Sequence, residues 1–350
     1  MKPSIQKATY ILLFLVLSTI ILMNAGSVLK PFAFALIAVS IYLKPAQWVE
    51  RSGVSRAWSI FIVMFCGSAI ILVFGYFISR ETVEVMTSLK SELNIDQPSQ
   101  AIADKINEKV PNEWVHLDKQ EVTDSVKKWM GDVGVPFIGD TFKSTGYILS
   151  NGVLTLIYTF FILLYRKGIA EAISNLGSMS SLSKSNDVLR KIIGTGQKYI
   201  TGLGMLILLL STLYATTFWL FGLDYPVVFA VVAATLAVIP YVGTTLGASL
   251  PVIYAYLYYD NHFIALGLIV AIMGIQMLEG NILTPKIVGG NMKLNPLVSL
   301  MAVVIGNFIW GLAGMILFLP LMAMIKIILE HTQSLKPIAD LSGQNLEKTD

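Results

Sequence analysis

Long stretches of this chain contain almost no residue that can carry a charge, and that pattern constrains its fold more than any motif. Of 47 charged residues among 350, 20 lie between Arg80 and Lys143 and 8 between Arg166 and Lys198. Only 19 remain for all the other stretches. Charged residues make up 13% of the chain, against about 25% in a soluble globular protein. Segments so poor in charge have little to offer water, which excludes a soluble fold and places the chain in a membrane.

The apolar runs predict helices near 7–24, 27–43, 57–79, 147–165 and 199–222. The first follows Lys2 and Lys7, as the core of a signal peptide would. No small-x-small cleavage site follows Met23, and a second run begins almost at once, so the first is read as a retained helix. Asn24-Ala25-Gly26-Ser27 is expected to turn the chain, and Lys44-Pro45 to close the second helix.

Basic residues orient these helices. Lys2 and Lys7 precede the first; Lys44, Arg51 and Arg56 follow the second. Segment 80–146 holds 8 basic and 12 acidic residues, whereas 166–198 holds 6 basic and 2 acidic. With a cytoplasmic N-terminus, both basic loops fall inside and the acidic insert outside. The insert reads as helical, with narrow apolar stripes at Val83, Met86, Leu89 and Leu93, at Ile102, Ile106 and Val110, and at Val122, Val126, Trp129 and Val133. The stripes either pack on one another or meet another subunit. Helix 57–79 enters the first of them without a break and is expected to project beyond the membrane. Segment 166–198, with six serines between Ser174 and Ser185, reads as a mobile cytoplasmic connection.

The single cysteine, Cys66, sits in an apolar run, so disulfide, zinc-cluster and CxxC chemistry are excluded. Gly194-Thr195-Gly196-Gln197-Lys198 lacks the spacing and ending of a phosphate-binding loop. No nucleophile–base or metal-ligand constellation is visible. No enzyme activity, cofactor, metal or nucleic-acid partner is therefore expected; the expected partners are the lipid bilayer and a small-molecule or cation substrate.

After residue 222 the apolar pattern breaks internally. Stretch 226–259 is interrupted by Ile239-Pro240-Tyr241-Val242-Gly243-Thr244-Thr245, and stretch 297–325 between Gly306 and Gly314. Two full crossings need roughly 40 residues, whereas these stretches have 34 and 29. They are read as two re-entrant helical hairpins, opening from opposite sides around the helix 263–282. Non-helical backbone at membrane depth is tolerated only where it lines a cavity or is buried in protein, and its freed amides and carbonyls can bind a solute or ion. Pro240, Gly243, Thr244, Thr245, Gln276, Glu279, Asn281 and Asn307 mark the expected path.

Gln276 and Glu279 are three residues apart and share a helix face. A carboxylate there can carry a proton or hold a cation. Gly280, Asn281 and Pro285 equally fit a solvated helix end, so both readings stand. His116, His262 and His331 occupy hydrophilic or edge positions, which argues against an imidazole relay. The Gly243–Gly247 spacing is read as serving the turn beside Pro240 rather than helix packing. Tyr254, Tyr256, Tyr258 and Tyr259 are read as an interfacial aromatic belt.

These motifs, in order, resemble the autoinducer-2 exporter family of bacterial inner-membrane transporters. The resemblance rests on Ile239-Pro240-Tyr241-Val242-Gly243, Gln276-x-x-Glu279 followed by Pro285-Lys286, Leu294-Asn295-Pro296-Leu297, and Gly311-x-x-Gly314 running to Pro320. It extends over most of the chain, including Pro45 and Gly222-Leu223-Asp224-Tyr225-Pro226. It implies a multi-pass transporter and a homo-oligomer, with a pentamer among its states. Members have been linked to autoinducer-2 export, and others to sodium or lithium exchange for protons. Three positions depart from the family's pattern: Gly202-Leu203 where Gly-Gln is common, Gly243-Thr244 where Gly-Pro is frequent, and Leu294-Asn295-Pro296 where Leu-His-Pro is common. The first and third of these remove a polar or titratable group.

The expected fold is an all-α multi-pass membrane protein with two re-entrant hairpins. Its units are N-terminal transmembrane helices at 1–79, an extracytoplasmic helical insert at 80–146, helices at 147–222, a transport unit at 223–330 and a cytoplasmic tail at 331–350. The leading functional reading is a secondary transporter exporting a small polar organic solute across the bacterial inner membrane by alternating access. A Na+(Li+)/H+ antiporter and a membrane scaffold acting through the outer insert are the alternatives.

Overall fold

A bilayer offers no water to unpaired backbone N–H and C=O groups, so an apolar segment must satisfy them internally, and the helix does so. A computed structural model shows that outcome throughout and describes residues 5–93, 145–176, 182–239, 242–259, 262–289, 292, 294–331 and 336–343. Among the described residues, strand pairing is limited to an isolated bridge between Leu294 and Gly343. The protein is an all-α multi-pass membrane protein. Among the described residues, five helices are long and apolar enough to cross a bilayer, or six if one bent pair forms a single span.

Helices α1 (Ile5–Asn24) and α2 (Gly26–Arg51) meet at Ala25. Lys44-Pro45 does not close α2, contrary to expectation; the helix runs on to Arg51. Pro45 has no N–H to give the preceding turn, but the helix is held beyond it by packing. Ala46 is fully buried with Val39, Ile60, Met64 and Leu163, where α2 meets α3 (Arg56–Leu93) and α4 (Thr145–Leu164). The helix ends instead before Gly53, whose φ of 90° is a left-handed conformation that glycine adopts freely.

Helix α3 has 38 residues, so it extends about 57 Å against a hydrocarbon core of about 30 Å. Its apolar span stops at Ile78 and the helix continues to Leu93. The expected continuity is therefore present: the helix runs unbroken past its apolar span and carries the first stripe. The side chains of that stripe and the two later stripes, with nearly all of the 80–146 insert, lie outside the described residues.

Segment 166–198 is helical on both sides of 177–181 rather than a loose connection. Helix α5 (Arg166–Leu176) follows Tyr165, with a 71° bend relative to α4. Helix α6 (Leu182–Leu220) already begins within the segment. The serines obscured the apolar positions between them, and the burial of Val188 and Tyr199 anchors this first part of α6.

Helix α6 is the central post. Tyr199, Leu206, Leu210, Tyr214 and Phe218, at intervals of seven and four, are all buried. Between helices in lipid the driving force is close van der Waals contact, which favours small residues. Accordingly α7 (Pro226–Leu236) contributes Ala230, Ala233 and Ala234 to the same cluster. Helices α8 (Val242–Tyr258) and α9 (His262–Leu278) complete it, with Tyr254 and Leu268 among their buried residues.

Candidate functional site

The first broken stretch is a helical hairpin. Its limbs, α7 with 11 residues and α8 with 17, are about 16 and 25 Å long, each shorter than the roughly 30 Å hydrocarbon core. Between them the backbone tightens: Val238 donates to Thr235 O at 3.3 Å and Ile239 to Leu236 O at 2.8 Å. A methyl group at Gly243 would overlap the Leu236 carbonyl, and one at Gly247 would lie 2.7 Å from the Ala233 Cα. The Gly243–Gly247 spacing thus serves limb-to-limb packing, which the sequence reading had assigned to the turn. The feet of the hairpin also meet. The Tyr259 hydroxyl accepts the Asp224 amide at 2.9 Å, and its proton faces Gly222 O at 3.0 Å and Asp224 Oδ2 at 3.2 Å.

Tyr254, expected in a surface belt, is instead buried, stacked on Tyr258 at 4.4 Å and tilted against Phe229 at 5.0 Å. Its hydroxyl turns toward Asp224 Oδ2 at 3.4 Å. A carboxylate at the hairpin foot draws these hydroxyls inward.

The second broken stretch repeats the device. Helices α11 (Pro296–Trp310) and α12 (Leu312–Glu330) join at Gly311, whose φ is 63°. A methyl at Gly306 or Gly314 would overlap the other's backbone. Trp310, at the tip, is buried and donates its indole N–H to Leu22 O at 2.9 Å. Tyr199 of α6 donates to Ile316 O at 3.0 Å.

Between the hairpins runs α9, continued by a π-helical turn (Glu279–Leu283) and α10 (Thr284–Ile287). Such wide turns are frequent at functional sites. Gln276 is half-buried and donates to Thr244 O at 3.2 Å, directly at the first break. One turn on, Glu279 is buried at 7% exposure and opens the π-helical turn. The helical path does not end there, so the solvated-helix-end reading of Glu279 is set aside. Its carboxylate makes no hydrogen bond or ion pair among the described residues and lies within electrostatic range of Tyr214 on α6. Tyr214 was absent from the sequence-derived path, although its interval of four from Leu210 and Phe218 marks an inward face. Twelve residues earlier on α6, a methyl at Gly202 would lie 2.8 Å from the Ile287 carbonyl.

Gln276 thus joins α9 to the first break at Thr244, beside Gly243, and Glu279 lies one turn further along the same helix. Asn281 is exposed and donates back to Met277 O at 2.9 Å on its own helix. Asn307 is exposed on α11. Neither hydrogen-bonds to Thr244, Gln276 or Glu279 among the described residues. Pro240 and the side chain of Thr245 lie outside the described residues.

The sequence profile of the AI-2E family transporter matches residues 10–334. The chain belongs to the AI-2E transporter family. Among curated relatives, the putative transport protein YrrI of Bacillus subtilis is 33% identical over 41% of this chain and 40% of its own length. The putative transport protein YueF of the same organism is 27% identical over 51% of this chain and 49% of its own length. The AI-2 transport protein TqsA of Escherichia coli is 33% identical over 33% of each chain. The aligned segments thus span less than half of these relatives.

In this AI-2E family member, the Leu294-Asn295-Pro296 motif has a visible task. Asn295 Oδ1 caps α11 by accepting Val298 N–H at 2.8 Å, as N-cap residues do. Its Nδ2 donates to Leu341 O at 2.8 Å and its amide to Ser342 O at 3.1 Å. The short helix α13 (Lys336–Leu341) is thereby fastened to the base of the second hairpin.

Proposed function

We propose that this AI-2E family member is a secondary transporter that exports a small polar organic solute, of the autoinducer-2 type, across the bacterial inner membrane. The observation that carries this reading is the Thr244–Gln276–Glu279 group. A polar side chain bridges to backbone at a break in one hairpin, and a buried carboxylate stands one turn away, among otherwise apolar helices. Ionisable residues are costly at membrane depth and mark substrate or ion paths. The name of the Escherichia coli relative, an AI-2 transport protein, supports the solute class. Both hairpins re-enter from the side they leave, and unit 223–330 moves against the N-terminal helices, with Glu279 as the coupling group. Both termini are cytoplasmic, the assembly is a homo-oligomer, and the protein is not an enzyme.

Glu279 also supports a second reading, Na+(Li+)/H+ exchange, because a buried carboxylate beside Gln276 is a natural cation ligand. Proteoliposomes separate the two. Export predicts autoinducer-2 flux that Glu279→Gln uncouples from the proton gradient. Exchange predicts sodium-driven proton movement without the solute, lost in the same variant. Proton-coupled flux unchanged by Glu279→Gln would remove that residue's role in either.

The hairpin topology has its own test. In a Cys66→Ala background, single cysteines at Asp224 and Phe263 label from the same side of the membrane. Labelling of Asp224→Cys deep in the bilayer, or from the opposite side, would sink the first hairpin.

A further inference from the structure

Helices α2, α3, α4 and α5 meet at a cationic junction away from the Thr244–Gln276–Glu279 group. Arg56, opening α3, donates through Nη1 to the Leu164 carbonyl at 3.2 Å, tying it to the end of α4. Arg166, opening α5, pairs with Glu50 at 2.6 Å, near the end of α2. Arg51 and Lys167, next in sequence to Glu50 and Arg166, add to the positive charge of this end of the helices. The Arg166 Nη1 and Glu50 Oε1 atoms are both buried with no hydrogen-bond partner among the described residues, so this pair lies beneath the surface and Arg56 is the more open of the two arginines.

Directly along the helices from this junction lies an apolar groove of about 310 Å³ between α3 and α4, with walls that include Phe61, Phe65 and Ser68 on one side and Leu156, Phe160 and Phe161 on the other. Phe61 and Ser68 are five and twelve residues beyond Arg56, so the groove runs from about 8 to 18 Å along the α3 axis. That is the depth of an acyl chain beneath its headgroup. Two markers set the headgroup level at the arginines. Trp58 and Tyr165 are 63% and 61% exposed there, as amphipathic rings are at membrane interfaces. Helix α5 turns 71° from α4 at this point, as a helix lying in the interface does. Only 11% of the α3 span is buried within the protein, leaving the groove open to lipid.

We infer that this junction is a binding site for an anionic phospholipid, its phosphate held by Arg56 and Arg166 and one acyl chain lying in the α3–α4 groove. A second copy of the chain would fill the apolar groove equally well. It would leave the excess of positive charge unanswered, whereas a phosphate answers it.

Native mass spectrometry of the full chain, delipidated and then offered equal phosphatidylglycerol and phosphatidylcholine in detergent, tests the site. The protein is expected to retain phosphatidylglycerol about fivefold over phosphatidylcholine, the attraction of one cation near an anionic surface. Arg56→Gln should bring the two lipids level. Ser68→Trp, which fills the groove from α3 and leaves the charges intact, should lose the retained lipid, and Leu156→Trp should do the same from the α4 wall. Equal retention of the two lipids by the unaltered chain overturns the proposal. So does undiminished phosphatidylglycerol in both groove-filling variants, or a dimer that they dissolve without altering lipid retention.

Discussion

Tyr259 holds Asp224 by its amide and faces its carboxylate, 35 residues back along the chain. One phenol thus joins both feet of the first hairpin. Tyr259→Phe removes the joint and keeps the ring. Each lost hydrogen bond of this kind contributes about 1 kcal/mol, so a modest fall in unfolding midpoint is expected, with faster hydrogen exchange around residues 222–226. Unchanged exchange there would show that packing alone closes the hairpin.

Gly306 and Gly314 touch backbone to backbone, so any side chain at either position forces the limbs apart. Overpacking in a tight core typically costs 1–3 kcal/mol. Gly314→Ala is expected at or above the upper end of that range, because carbonyl and backbone cannot yield as a flexible side chain can. Gly75→Ala, with open space around it, serves as the control. Thermal unfolding of the two in the same detergent checks the contrast.

Gln276 offers a cleaner separation of function from stability. It makes one hydrogen bond, to Thr244 O. Gln276→Leu keeps the volume and removes the bond, for about 1 kcal/mol of stability. Solute flux in proteoliposomes is expected to fall far more than the unfolding midpoint does. Full flux in this variant would exclude the Thr244–Gln276 contact from the path.

Asn295 performs two tasks that substitution can split. Asn295→Asp keeps an oxygen for Val298 N–H and loses the donor to Leu341 O. Asn295→Ala loses both, including a cap of about 1 kcal/mol. Limited proteolysis near residues 336–343 should accelerate in both variants, while α11 should be destabilised only in the alanine form. Equal proteolysis of all three proteins would mean that the backbone bond to Ser342 holds the tail alone.

Much of this architecture was legible because lipid reduces folding to a few rules. An uncharged run must be a helix, and a break by Gly or Pro inside one must be covered. Those rules located the helical runs, the breaks before Gly243 and at Gly311, and the shared face of Gln276 and Glu279. They missed features set by distant contacts. Pro45 reads as a stop, yet Ala46 is held by Ile60 and Leu163 from other helices. The serines of 166–198 read as a loop, yet helices cover both sides of 177–181 and Val188 is buried. Asn295 reads as the loss of a titratable histidine; only the position of Leu341 and Ser342 reveals its grip on the tail.

The paired glycines determine what can move. Limbs whose backbones touch cannot slide or part without first losing that contact, so each hairpin behaves as a single solid blade. Helix α9 packs on the first blade in the shared apolar cluster and adds an amide hydrogen bond to it, while α6 adds a phenol to the second. Any rearrangement here has to carry each hairpin as a whole, and the Gln276 and Tyr199 hydrogen bonds are among the contacts it would break.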